Sequence, residues 1–414
     1  MNTKGYLSIG RAVLLLFALY GVSCLPPLSA QEEQVTESAA LNDKEAFVLA
    51  KALYTTTLDS FTASAGAAPV DAAAPIVSKM AELGITMEIK MVGGTKAKPV
   101  VLTSDVSLGT CKCIEALDRL GIAAGCEFQV LNKAVRFLYN GDRTVRTVYK
   151  FEQKFIFTEL KNHTRKGSNL EIDGSILGLP FPEGCSMKYS IPSGNLTVEH
   201  HPQQHPHIRK ILKEKYWAWQ DTQSGDKKKN MSDDERAMNK LSVAFMPPIM
   251  ESTECSVREA VELLNAVIAA SGIKLVLHKD IDSNKRVQLD QSAIKNGGYA
   301  NSALLSICDS LGTNYKVKKN KITIRLFADG ERTRRYRISA QKFSELMGRD
   351  VSSEEELIKA LHDLGIGTPA GTSVKWGEKK KLLILKSDRV SILKNMDDVM
   401  REQGIPFNEK KKKK

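Results

Sequence analysis

Aromatic residues are scarce in this chain, 6% of 414. That shortage argues against one large enzyme core and for several small modules, each closed by aliphatic side chains. Long hydrophobic runs are also scarce. After Val22 no stretch is long and apolar enough to span a bilayer. No G-x-S-x-G, phosphate-binding loop or H-E-x-x-H is present, which removes the familiar hydrolase, nucleotide-hydrolase and zincin signatures. No Cys-x-x-Cys is present either; Cys111-Lys112-Cys113 has one spacer residue and no second pair at zinc-site distance. Acids are the minority charge, and the formal net charge is +12.

What is present begins with Lys4 and Arg11 ahead of an apolar run from Ala12 to Val22, followed by a polar, Pro-containing stretch ending Leu28-Ser29-Ala30. This order predicts an export signal over residues 1–30, cleaved after Ala30. Lipid attachment at Cys24, within Gly21-Val22-Ser23-Cys24, is the alternative. Loss of Lys4 and Arg11 leaves a charge of +10, of which Lys410 to Lys414 supply five, so the rest is only mildly basic. The lysine tail reads as a solvated segment. Six cysteines follow the signal: Cys111, Cys113, Cys126, Cys185, Cys255 and Cys308. An exported chain can oxidise them, and nothing in their spacing selects a pairing.

The strongest pattern is internal. Residues 177–189 read LGLPFPEGCSMKY and residues 364–376 read LGIGTPAGTSVKW, 187 positions later. The same shift sets Leu102 on Leu289, Ala116-Leu117 on Ala303-Leu304, Gly125 on Gly312, Val130 on Val317, Tyr149 on Tyr336 and Leu196 on Leu383, without a gap. The chain therefore reads as a duplication. None of the six cysteines recurs at this shift, so they are additions to the repeated unit rather than its framework.

The second copy has the clearer pattern. Leu241 to Phe245 alternates like a strand. Ser256 caps a helix bearing Val257, Ala260, Val261, Leu264 and Val267 on one face, with Glu259 completing a capping box. Strands follow over Ile273–Leu277 and Arg286–Leu289, then a helix from Asn301 to Leu311 stopped by Gly312. A hairpin, Tyr315–Val317 with Ile322–Ile324, closes a β-α-β-β-α-β-β order. A second module adds a strand over Arg334–Ile338 and a helix capped by Ser353. Ser373–Trp376 and Leu382–Leu385 then form a hairpin, and Val390 to Met400 line a last helix: β-α-β-β-α. The first copy is expected to repeat both, with Leu53–Leu58 as its opening strand. The expected class is α+β, without barrel or pore. Its boundaries are a signal (1–30), an Ala-rich helical segment that includes the first strand (31–65), the first-copy modules (66–140 and 141–220), a polar linker (221–239), the second-copy modules (240–328 and 329–404) and a lysine-rich tail (405–414).

Glu259-Ala260-Val261-x-Leu263-Leu264, Ser271-Gly272-Ile273, Leu311-Gly312-Thr313-x-Tyr315 and Asn320-x-Ile322-x-Ile324 resemble the short N-terminal (STN) domain shared by secretins and TonB-dependent outer-membrane receptors. The module after it resembles the small βαββα domains that follow in secretins. The resemblance implies a periplasmic or outer-membrane-associated, non-enzymatic scaffold or adaptor that binds envelope proteins, in secretion or transport, with self-association as a further option. Neither a secretin channel nor a receptor barrel is legible.

Two clusters stand out as candidate sites. Glu199-His200-His201-Pro202-Gln203-Gln204-His205-Pro206-His207 holds four of the seven histidines. His200, His201, His205 and His207 offer imidazoles for Zn, Cu or Ni, which gives an alternative function as a metal- or ligand-binding envelope protein. Pro202 and Pro206 speak against a regular helix through this stretch, and a solvated loop is the plainer account. Tyr216, Trp217 and Trp219 form an aromatic cluster suited to partner binding or to packing between modules. Asp142 and Asp329 match across the copies but sit in turn contexts. Export and the lack of an aromatic stacking stripe exclude nucleic acid as the expected partner.

Overall fold

The structure is a computed structural model and describes residues 43–93, 99–141, 143–223, 233–246, 249, 254–288, 298–377, 381–402 and 405. The expected signal, Cys24, Asp142, Lys410 to Lys414 and the middle of the expected linker lie outside the described residues. The protein is mixed α/β. Among the described residues no sheet closes into a barrel and no helix is long and apolar enough to cross a membrane.

The first half opens with helix α1 (Asp43–Thr55) and helix α2 (Ala74–Glu82). A three-stranded sheet follows, in the order Glu88–Val92, Ala134–Tyr139, Cys126–Leu131. The first pair is parallel and the second is an antiparallel hairpin. Helix α3 (Cys113–Ala124) packs on the hairpin and ends at Gly125 in the left-handed conformation. The chain then builds a five-stranded antiparallel sheet from Val145–Lys150, His163–Lys166, Asn169–Ile172, Ser186–Ser190 and Asn195–His200. Helices α4 (Gln153–Glu159) and α5 (His205–Gln223) pack with it.

In the second half come α6 (Asp233–Leu241), α7 (Val257–Val267) and α8 (Ala300–Leu311) around a sheet ordered Lys274–Leu277, Lys321–Arg325, Asn314–Lys318. After these, α9 (Ala340–Met347), α10 (Glu354–Asp363) and α11 (Val390–Glu402) flank a three-stranded sheet ordered Thr333–Tyr336, Leu383–Lys386, Ser373–Trp376. The Ser256–Glu259 capping box forms as its spacing predicts: each side chain accepts from the other residue's backbone N–H, at 3.2 and 2.8 Å.

Strand registers recur between the halves at the shift of 187. Val130 pairs with Val135 and Val317 with Ile322; Leu196 pairs with Tyr149 and Leu383 with Tyr336; Met187 pairs with Val198 and Val374 with Leu385. Gly178 and Gly365, each following the shared Leu, have φ of 66° and 76°. A left-handed turn there costs glycine nothing and a side chain about 1 kcal/mol or more.

Several expected elements come out differently. Leu53 to Thr55 belong to α1, and only Thr57–Leu58 is strand. Leu241 likewise ends a helix, and the following strand is only Phe245–Met246. In both places helical burial overrides a short alternating pattern: Leu53 packs with Leu49 and Ala50, Leu241 with Ala237 one turn earlier. The expected linker is helical at both ends, through Gln223 and from Asp233. The first copy's second module is not βαββα. A hairpin over residues 163–172 stands where the second half has α10. Gly167, at φ 63°, turns that hairpin, whereas Ser353 followed by three glutamates starts α10. In the second half α9 adds a helix, giving β-α-α-β-β-α.

Three cores result. One is shared: it joins side chains from Ala46 to Phe137 with side chains from Ala237 to Ile324. The other two belong to the five-stranded sheet (Tyr149 to Trp219) and to the last three-stranded sheet (Tyr336 to Ile405). Helix α1 joins the two halves. It contacts α3 of its own half and α7 of the other, and Ala46, Phe47, Leu49, Ala50, Ala52 and Leu53 are all buried. Lys51 pairs with Glu262 at that contact, and the Tyr54 hydroxyl donates to the Phe245 carbonyl at 3.0 Å. Among its described side chains, the counterpart α6 buries only Ala237 and Leu241 fully.

Candidate functional site

A cleft of about 860 Å³ opens where α3, α5 and the start of the second half meet. Each wall follows from local sequence. Glu115 completes the start of α3 by accepting the Lys112 N–H at 2.8 Å, and Asp118 and Arg119 follow on the turn that faces the cleft. Helix α5 starts at His205, directly after a short 3-10 turn over Pro202–Gln204. The prolines therefore do not prevent a helix. Pro206 lies in the first turn, where its missing N–H has no intrahelical partner to lose. From there Ile208, Leu212 and Trp219 turn into the core. His207, Lys210, Glu214 and Trp217, spaced 3, 4 and 3, form the stripe that lines the cleft. That spacing is readable in the sequence, although the facing wall is not.

The four histidines are not held as one set of ligands. His200 is 1% exposed; its Nε2 donates to the Pro180 carbonyl at 2.8 Å and its Nδ1 accepts the His201 N–H at 2.8 Å. His205 directs Nε2 at the carbonyls of Val145 (3.0 Å) and His200 (3.2 Å). His201 Nδ1 lies 3.2 Å from the Arg143 carbonyl. These contacts pin the start of α5 to the edge of the five-stranded sheet. Burial pushes the pKa of His200 and of His205 down, favouring the neutral rings. His207 alone reaches a carboxylate, Asp118, with Nε2 to Oδ2 at 2.9 Å. Among the described residues no group of three or more His, Cys, Asp or Glu side chains is arranged to hold a metal ion.

The aromatic cluster is divided. Trp219 is buried, and Tyr216 packs beside it against Phe151 and Phe155 at ring separations of 5.0 to 5.7 Å. The Tyr216 hydroxyl donates to Glu152 at 3.1 Å. These two rings hold α5 on the sheet. Trp217 faces the cleft.

All six described cysteines are free. Cys111 touches the cleft, and burial raises its thiol pKa. Cys113 is pushed up to about 11, and Cys126, Cys255 and Cys308 to about 12, in each case chiefly by burial. Such thiols stay protonated at neutral pH and are poor nucleophiles. Tyr54, which also lines the cleft, has its pKa raised by burial and then by the charge of Asp118, so its hydroxyl remains a donor.

Asp118, Arg119, Lys210 and Tyr54 carry no sequence motif; only the approach of the second half brings them into the lining of one cleft. No protein-family model and no curated protein sequence matches the chain.

Proposed function

We propose that the protein is an exported scaffold or adaptor of the cell envelope that binds protein partners through its small sheet modules. The observation that carries this reading is the placing of two strands at the ends of their sheets. His163–Lys166 ends the five-stranded sheet and Ser373–Trp376 ends the last three-stranded sheet. Each belongs to a module with its own core, outside the shared one. A terminal strand has one side of its ladder open, which is the geometry strand addition uses. The resemblance to STN and secretin modules supports the same reading.

The test is a crosslinking pull-down from the envelope fraction with the full chain as bait. Two variants, Arg165→Pro and Val374→Pro, would each remove an N–H on the open side of one terminal strand, since Thr164 and Lys375 occupy the hydrogen-bonded pairs within their own sheets. A stoichiometric envelope protein captured by the wild type and lost with one variant supports the reading and assigns the strand. Capture of nothing, or recovery of the chain from the cytoplasm alone, overturns it.

A further inference from the structure

We infer that the cleft between the halves binds an amphipathic organic anion, a monocarboxylate with an apolar body. This does not rest on the adaptor reading. The volume, about 860 Å³, lies within the roughly 300–1,000 Å³ of small-molecule sites. Phe128, Phe245 and Ile268, drawn from both halves, line the cleft together with Trp217 of α5.

The charged residues that line it are not equivalent. Asp118 is engaged by His207 at 2.9 Å, and Glu115 is engaged by the Lys112 N–H at 2.8 Å. Lys240 donates to the Ser271 carbonyl at 2.9 Å. Arg119 and Lys210 line the cleft from facing helices, and neither has a hydrogen bond or ion pair among the described residues. Glu214 is the one lining carboxylate in that condition. An entering anion therefore meets two uncommitted cations from different helices, while an entering cation meets a single uncommitted carboxylate. Because the same cleft is also lined by Phe128, Trp217, Phe245 and Ile268, a ligand that carries one negative group on a hydrophobic chain satisfies both kinds of lining.

The test titrates the full chain with dodecanoate and, in parallel, with dodecyltrimethylammonium, each below its micelle concentration. Calorimetry and tryptophan fluorescence are the readouts. The expected result is one saturable dodecanoate site, with fluorescence changing through Trp217, and weaker binding of the ammonium analogue. The double variant Arg119→Gln/Lys210→Gln should weaken dodecanoate by about tenfold or more. Ala244→Phe, which fills the cleft from the second half, should abolish the site while thermal unfolding shows the chain still folded. If Ala244→Phe fails to fold, the double variant decides alone. Equal affinity for the two surfactants, unchanged binding in the double variant, or no saturable site would each overturn the inference.

Discussion

Each half joins its two modules at the same place, the helix of the first module against the start of the last helix, but with different chemistry. In the second half Asp309 accepts the Ser391 N–H at 3.1 Å and the Ser391 hydroxyl, and Lys394 lies over the Tyr315 ring at 5.1 Å. In the first half Asp118 faces His207, and the neighbouring His200 and His205 bind backbone carbonyls. At the shift of 187, His200 corresponds to Ser387 and His205 to Ile392. One joint is thus built from a carboxylate, a serine, a lysine and a tyrosine ring, and the other from imidazoles. The second contrast lies in the first helices: α1 is covered on two sides, whereas the exposed positions of α6 carry Glu235, Arg236 and Lys240. A polar outer face ends a stack of repeats instead of extending it.

The sharpest break of the second contrast is Leu53→Ala. Leu53 is 0% exposed, and its truncation should cost about 2–5 kcal/mol in urea unfolding, while Arg236→Ala on α6 should stay within about 0.5 kcal/mol. Similar losses would mean α1 is not the joint between the halves. Next is Asp397→Ala. Asp397 accepts from Arg334 at 3.0 Å and from the Tyr336 hydroxyl at 2.7 Å, and its side chain is 17% exposed. Removing it takes away the carboxylate that Arg334 and the Tyr336 hydroxyl share. The loss should reach about 3 kcal/mol, against less than about 0.5 for Lys210→Ala at the matching position of the first half.

The pH dependence tests the joints themselves. The folded state holds His200 and His205 below the ordinary value of 6.5. As pH falls through 6.5 the unfolded chain takes up protons before the folded chain does. The stability contributed by these neutral rings is therefore complete above 6.5 and declines toward the lower folded pKa values. Urea midpoints measured from pH 7.5 to 5 should fall for wild type and fall less for His200→Gln/His205→Gln; parallel curves would contradict the burial argument. The smallest effects separate the carboxylates. Ser391→Ala should cost about 1 kcal/mol. His207→Ala should cost under about 0.5 at pH 7, because both partners in that pair are partly exposed, at 26% and 31%.

Local features with short-range causes were legible in the sequence. The Ser256 capping box, the stop at Gly312 and the Tyr315–Ile324 hairpin depend on contacts a few residues apart. Failures came where a short pattern competed with distant packing, as at Leu53–Thr55 and Leu241. The hairpin over 163–172 was hidden by alignment to its helical counterpart, although Gly167 marked its turn. Of the candidate site, His207 and Trp217 stood out by composition, but their neighbours on the stripe did not.

By itself the sequence determined the repeat and its register, because glycine turns and alternating aliphatic positions constrain the backbone wherever they occur. Only the tertiary structure decided that α1 fills the space between the halves, that three of the clustered histidines serve as struts, and that Arg119 and Lys210 face one cleft. Those outcomes depend on which surfaces remain uncovered once each module has closed its own core, and no local pattern encodes that.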